Sequence, residues 1–257
     1  MLSIEDLPAK DNLIEENYQE LITILYQYGR QHLDALNVQS KELTEYVTMW
    51  AHQIKTPISA MRILLQSGEN PENKQLLMEL FKVEQYIEMI LQYIRLGSMS
   101  SDLLLTHYSL DSLVRQAVRK FSKIFISKQI VLNYDELDYN VLTDEKWLVF
   151  VIEQVLSNAL KYTKKGSISI YMSKETPKTL IIEDTGIGIP SEDLPRVFEK
   201  GFTGYNGHID KRSTGFGLFL CQQILKKLSH TITVTSTQGK GTKVSIELDT
   251  LDMKHID

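Results

Sequence analysis

The chain has 257 residues, 42% hydrophobic and 24% charged, with a formal charge of -5. That is ordinary globular composition with room for one large domain or two modest ones, and its mild acidity argues against nucleic acid, which attracts a basic face. The single cysteine, Cys221, excludes an internal disulfide and points to a reducing compartment; its plain reading is a small core hydrophobe.

From Asn12 to about Arg95 the periodicity predicts helix. Ile14, Tyr18, Leu21, Leu25 and Tyr28 follow alternating steps of four and three, the seam of a coiled coil. Leu43, Val47, Trp50, Ile54, Met61 and Leu65 form a second seam. The two differ in phase, so a stutter is expected between about Gly29 and Ser40; the alternative is two helices broken near Gly29. In the turn "SGENPEN", Asn70 suits the N-cap and Pro71 the first helical position. The next helix carries Leu80, Val83, Ile87, Ile90 and Ile94 on one stripe, and Gly97 can stop it. Two helices cannot bury both stripes well, so a homodimer closing into a four-helix bundle is expected.

After "GSMSSD" the character changes. Short β-type runs appear at "LLLTHY", "QIVLNY", "SISIYM", "TLIIED", "TITVTS" and "TKVSIEL", with helical stretches near Leu110–Phe121, Glu145–Tyr162 and Phe216–Leu228. This alternation predicts an α/β layered domain from about residue 102 to 250. No stretch approaches the roughly 18 apolar residues that cross a bilayer, and nothing at Met1 resembles a signal peptide. The chain as given is therefore expected to be soluble and cytoplasmic, which is compatible with being part of a longer, membrane-anchored protein.

Pro57 stands inside a helical pattern, in "WAHQIKTPIS". It removes one backbone hydrogen bond and frees the carbonyl of Gln53. His52 lies about 160° around the helix from both Trp50 and Ile54, so it is expected to face water. A neutral, exposed imidazole is a competent nucleophile, and Thr56 lies one turn later on nearly the same face. A solvated surface histidine is the plain alternative.

Downstream, "LIIEDTGIGIPSEDL" puts Asp184, then Gly186 and Gly188, directly after an apolar strand. Glycines allow close backbone approach to a ligand, and a buried carboxylate can read an exocyclic amine such as that of adenine. "STGFGLFL" opens a helix with glycines, an arrangement that attracts phosphate. In "IEQVLSNALKYT", Asn158 and Lys161 can share a face: an amide oxygen suits Mg²⁺ and a lysine suits phosphate.

Together these stretches resemble the cytoplasmic core of a bacterial two-component sensor histidine kinase. "HQIKTP" resembles the H-box, "EQVLSNALKYT" the N-box, "EDTGIGIP" the G1-box, "LPRVFEKGFTG" the F-box and "STGFGLFL" the G2-box; "GKGTKVSIEL" resembles the closing strand motif. The resemblance implies an N-terminal signalling coiled-coil helix over 1–40 and a dimerisation and histidine-phosphotransfer hairpin over 41–98. A linker at 99–101 and a Bergerat-type α/β sandwich that binds ATP over 102–257 follow. It implies γ-phosphoryl transfer from ATP to His52, then to an aspartate of a response regulator. Asn158 would hold Mg²⁺, Lys161 and Tyr162 would line the nucleotide pocket, and Asp184 would bind the adenine amine. Gly186 and Gly188 would shape the adenine loop, Gly215, Gly217 and Leu218 would border the phosphates, and Thr242 would lie near the base. Lys200 to Thr214, with glycines at 201, 204 and 207, would form a lid in which Lys200, Lys211 and Arg212 offset phosphate charge. Gln53 in the H-box also resembles small Gram-positive kinases of envelope stress and antimicrobial-peptide sensing, which have upstream transmembrane helices and often work with an ABC transporter.

Three positions depart from the pattern. Gln53 replaces the acid that usually follows the histidine; it can orient the imidazole but cannot take its proton. Gln154 stands where many kinases have asparagine, and Ser213 opens the G2-box in place of glycine. Thr56 matches the position that orients water for dephosphorylating the regulator. Two other functions stay open: a catalytically weak, nucleotide-binding dimeric scaffold, and a Bergerat-fold ATPase. The second needs a glutamate where Gln154 stands, whereas Glu153 is one position off and turned about 100° round the helix.

Overall fold

The computed structural model describes residues 13–67, 70–97, 99, 103–204 and 214–248. The expected lid positions Gly207, Lys211, Arg212 and Ser213, the turn residues Gly68 and Glu69, and linker positions 100 and 101 lie outside these. The chain divides into two compact units, Met1–Ile94 and Arg95–Asp257.

The first unit is a helical hairpin. Helix α1 spans Leu13–Gln66 and α2 spans Pro71–Arg95. The 54 residues of α1 run without interruption through Gly29, Ser40 and Pro57, so the break near Gly29 does not occur. The turn forms as its residues dictate: Asn70 Oδ1 accepts the Asn73 N–H at 2.6 Å, and Asn73 Nδ2 donates to the Leu65 carbonyl at 3.1 Å. Ala51 and Ile58 of α1 pack with Leu80, Ile87 and Leu91 of α2, flanked by Ile54 and Leu65. Arg62 pairs with Glu84 across the hairpin.

This seam coincides with the expected ones in part: Leu80 and Ile87, flanked by Ile54 and Leu65, belong to it. Leu43, Trp50 and Met61 on α1, and Val83 and Ile90 on α2, are exposed in the single chain, while Ala51 and Leu91 are buried in their place. Each apolar stripe is wider than one helix–helix contact, and one hairpin covers one flank of it.

The second unit is an α/β layer. In chain order its elements are β1 (Thr106–Ser109), α3 (Leu110–Lys128), β2 (Val131–Tyr134), β3 (Asn140–Thr143), α4 (Glu145–Tyr162), β4 (Ser167–Met172), β5 (Thr179–Asp184), a short 3₁₀ turn (Leu194–Arg196), α5 (Gly217–Lys227), β6 (Thr231–Thr237) and β7 (Gly241–Glu247). Strands β1 and β3 form a small antiparallel pair. The main sheet has the order β2-β4-β5-β7-β6, parallel only between β2 and β4. Register puts Ile168, Ile170, Leu180, Ile182, Val244, Ile246 and Ile232 on one face, and all are buried. The alternate positions, such as Ser169, Glu183, Lys243 and Ser245, form a polar opposite face.

Helix α4 is buried nearly all round, through Val151, Ile152, Val155, Leu156, Ala159 and Leu160. Asp144 starts it: Oδ1 accepts from the N–H groups of Lys146 (3.0 Å) and Trp147 (3.3 Å), while Oδ2 accepts from Leu104 N at 3.1 Å. The same carboxylate thus caps the helix and pins the segment that leads into β1.

Candidate active site

On α1, His52, Gln53, Thr56 and Pro57 are all exposed. The seam runs through Ala51, Ile54 and Ile58, and His52 lies at least about 100° from each of them. Thr56 Oγ1 reaches back to the His52 carbonyl at 3.5 Å, the outer limit of a hydrogen bond. Helix α1 continues through Pro57, so the proline removes one hydrogen bond without ending the helix.

In the second unit the expected nucleotide residues are carried by four elements, β5, β7, α4 and α5, and the loops beside them. Asp184 ends β5 on the buried face of the sheet and is 8% exposed. Burial pushes its carboxyl above the usual range; the N–H groups of Gly186 and Thr242 and the hydroxyl of Thr163 act against this by favouring the charged form. Gly186 N donates to Asp184 Oδ1 at 2.8 Å. A Cβ on Gly186 would lie 2.6 Å from that oxygen and 2.7 Å from the Tyr162 carbonyl oxygen, so the position admits only a bare Cα. Gly188 adopts φ +68°, and a Cβ there would stand 2.1 Å from the Thr237 carbonyl oxygen. The loop is stitched down on both sides, by Ile187 N to Tyr162 O (3.3 Å) and Gly239 N to Ile187 O (2.7 Å).

Thr242 lies opposite Asp184 on β7. Its Oγ1 is 3.0 Å from Ser236 Oγ, which accepts from Ile189 N at 2.8 Å and donates to the Gly241 carbonyl at 2.7 Å.

Helix α4 supplies Asn158, Lys161 and Tyr162, all half-buried, with Lys161 Nζ 5.2 Å from the Tyr162 ring centroid. Gln154, one turn before Asn158, turns toward the start of α5: its Oε1 is 3.3 Å from where a Cβ on Gly217 would stand. Leu218 follows, half-buried. Gly215 crosses Gly201 tightly, accepting its N–H at 3.1 Å. Thr214 is exposed and accepts from Phe216 N at 3.4 Å. Lys200 is exposed too, its Nζ 5.8 Å from the Phe216 ring centroid.

Glu153 is buried and paired with Lys120 of α3. It faces α3, while its neighbour Gln154 faces α5. Cys221 is fully buried, and burial pushes its thiol up to about 12, which keeps it protonated. Among the described residues no group of three or more His, Cys, Asp or Glu could hold a metal ion. A single amide oxygen such as that of Asn158 fits Mg²⁺ that takes its remaining oxygens from phosphates and water.

Two residues of the site escaped the sequence reading, Ser236 and Thr163. Ser236 looks like any alternating strand residue. Thr163 is the last letter of "NALKYT", and its signal was a hydroxyl directly after a largely buried helix.

Residues 143–252 match the family described as histidine kinase-, DNA gyrase B-, and HSP90-like ATPase. The chain is 32% identical over 233 residues to the sensor histidine kinase YxdK of Bacillus subtilis (strain 168), covering 89% of this chain and 70% of that protein. It is 35% identical over 254 residues to the sensor protein kinase GraS of Staphylococcus aureus (strain MRSA252), covering 95% and 72%. Among solved structures, the Acinetobacter baumannii histidine kinase AdeS matches with a TM-score of 0.52 at 20% identity, over 77% of this chain and 98% of that one. Full-length ShkA in complex with AMPPNP matches with a TM-score of 0.54 at 20% identity, over 79% of this chain and 45% of that one. At these structural identities the likeness is one of fold; at the sequence identities to YxdK and GraS it is one of family. The chain belongs to the sensor histidine kinases, ATP-dependent protein-histidine kinases of two-component systems.

Proposed function

We propose that His52 is the phosphoacceptor and that the second unit holds ATP with its adenine on Asp184 and its phosphates toward Asn158, Lys161 and the start of α5. The observation that carries this reading is the buried Asp184 carboxylate, bonded to Gly186 N in a loop where Gly186 tolerates no side chain. An ionised carboxylate so held is an acceptor for the adenine amine. Thr242 lies beside it, and Gly215, Gly217 and Leu218 border the phosphates.

In the reaction, neutral His52 Nε2 forms a bond to the γ-phosphorus while the β–γ bridging P–O bond breaks and its electron pair leaves on ADP. The Nδ1 proton is then lost to solvent, because Gln53 can orient the imidazole but cannot accept a proton. Asn158 would hold Mg²⁺, which offsets phosphate charge when bound. Lys161 adds a point charge, and Lys200 is placed at the near end of the expected lid.

The reading extends to partners. The hairpin is a dimerisation and phosphotransfer domain, since its exposed flanks (Leu43, Trp50, Met61, Val83 and Ile90) need a second copy to close a four-helix bundle. The phosphoryl group passes to an aspartate of a response regulator, with Thr56 orienting the water that hydrolyses the regulator's acyl phosphate to free phosphate. A membrane anchor upstream and an ABC transporter partner follow from the Gram-positive subgroup that "HQIKTP" resembles. No helix among the described residues is long and apolar enough to cross a membrane.

The test is incubation with γ-labelled ATP and Mg²⁺. Label on protein that is acid-labile and alkali-stable, and lost in His52→Ala, supports the kinase. No turnover supports the scaffold, for which Gln53 speaks. Free phosphate without labelled protein supports an ATPase; the pairing of Glu153 with Lys120 argues against that outcome.

A further inference from the structure

Thr163 follows α4 directly, its N–H donating to the Ala159 carbonyl at 3.0 Å. The residue is 0% exposed, and among the described residues its Oγ1, though near Asp184, makes no hydrogen bond of ordinary geometry. A buried hydroxyl without a partner is unfavourable, and valine would fill nearly the same space without one. The hydroxyl therefore calls for a role in a state other than the one seen here.

Its surroundings indicate which. The place where a Cβ of Gly186 would stand lies 3.0 Å from Thr163 Oγ1, 2.6 Å from Asp184 Oδ1 and 2.7 Å from the Tyr162 carbonyl oxygen. Three oxygens converge on one bare Cα. An ionised carboxylate and a carbonyl only accept, so the threonine hydroxyl is the sole donor of the three. It stands close enough to Asp184 to favour the charged carboxylate, against the burial that disfavours it.

Other charges near Asp184 do not take over this role. Glu183 and Lys243 are register partners on the opposite face of the sheet, where Glu183 accepts from the Tyr171 hydroxyl at 2.7 Å. β4 presents Ile168 opposite Asp184. On α4, the Lys161 ammonium lies over the Tyr162 ring, and Lys164 and Lys165 beyond it are exposed.

We propose that Thr163 is a positioning residue for base recognition: its hydroxyl donates to Asp184 when the nucleotide is bound and keeps that carboxyl ionised, the acceptor-only form an exocyclic amine requires. The inference rests on the reading of Asp184 as the adenine contact. It also concerns specificity. A protonated Asp184 would offer an O–H toward the carbonyl that guanine carries in place of the amine, so losing the Thr163 hydroxyl should blur the choice between the two bases as pH falls.

The experiment is calorimetric binding of Mg-ATP and Mg-GTP from pH 5 to 8 to the full chain and to Thr163→Val, Thr163→Ser and Asp184→Asn, with melting curves for each. Thr163→Val is expected to bind ATP about tenfold more weakly at pH 7. Its loss of affinity toward acid should begin about one pH unit higher than in the parent, and its preference for ATP over GTP should narrow there. Thr163→Ser should restore all three behaviours, and Thr163→Ala serves as a second hydroxyl-free variant should valine disturb folding. Parental ATP affinity and an unmoved acid limb in the hydroxyl-free variants, with Asp184→Asn binding poorly, overturn the inference and leave the Asp184 reading intact. Parental binding by Asp184→Asn overturns that reading itself.

Discussion

The hairpin and the α/β unit of this chain treat their apolar residues in opposite ways. Among the described residues of the hairpin only Ala51, Ile58, Leu80, Ile87 and Leu91 are buried, while Leu25, Leu33, Leu43, Leu64 and many more stand exposed along α1. The α/β unit shuts away whole faces of β4, β5, β7 and α4. The expected reactive groups follow suit: His52 is exposed, whereas Asp184 is buried at the end of β5. Each placement suits its chemistry. A nucleophile that must meet ATP and then a regulator needs open surface; a carboxylate that must tell one base from another needs low dielectric and fixed partners.

That contrast can be broken in several places. The largest effect belongs to His52→Ala, expected to abolish acid-labile labelling from γ-labelled ATP while leaving the melting curve unchanged, since the ring is exposed. Retained label would move the phosphoacceptor elsewhere. Next comes Ile58→Ala, which should destabilise the hairpin by about 2–5 kcal/mol. ATP affinity in the second unit should stay at the parental value; a matching fall there would mean that the two units do not behave independently.

Gln53→Glu supplies the proton acceptor that the H-box lacks and is expected to speed autophosphorylation by roughly 10²-fold in a radiolabel time course. An unchanged or slower rate would show that Gln53 is not a weakened base. Gly186→Ala forces a Cβ against Asp184 Oδ1 and Tyr162 O and should weaken Mg-ATP by about 1–3 kcal/mol, read by calorimetry.

The smallest effect is one of pH. The Asp184 carboxyl sits above its ordinary 3.8, so the folded chain holds that proton more tightly than the unfolded chain. Between the two values the folded state binds more protons, and stability falls as pH rises through that window. Asp184→Asn removes the buried charge, so it should melt higher than the parent at pH 7 and lose this advantage as pH drops below the window. A variant that melts lower at pH 7 would mean that the carboxylate's hydrogen bonds outweigh its burial.

Sequence and structure agree best where one chain supplies all the contacts. Helix α4 runs Glu145–Tyr162 as read from its pattern, and all six β-type runs contain strands. Strand β3, "NVLT", escaped because four residues alternate too briefly to register; pairing with β1 makes it. The hairpin seams were legible in part: Leu80, Ile87, Ile54 and Leu65 pack as expected, but Ala51, Ile58 and Leu91 were missed. The pattern of Leu43, Val47, Trp50 and Ile54 blends Ile54, which packs against the hairpin core, with Leu43 and Trp50, which stay exposed, and spacing alone cannot sort them. At the candidate site, Gly186 and Thr242 stand beside Asp184 as expected, and Gly186 answers a backbone demand. Thr163 and Ser236 did not announce themselves, because a hydroxyl's importance lies in which groups surround it after folding.

Gly241 has a consequence for any attempt to alter base preference. A Cβ on it would fall 1.9 Å from the carbonyl oxygen of Asp184, so β7 rests directly on the backbone of the very residue expected to read the base. The backbone position of Asp184 is therefore set by strand spacing. Redesign toward another nucleobase must work through side chains and cannot shift that backbone without prying two central strands, β5 and β7, apart.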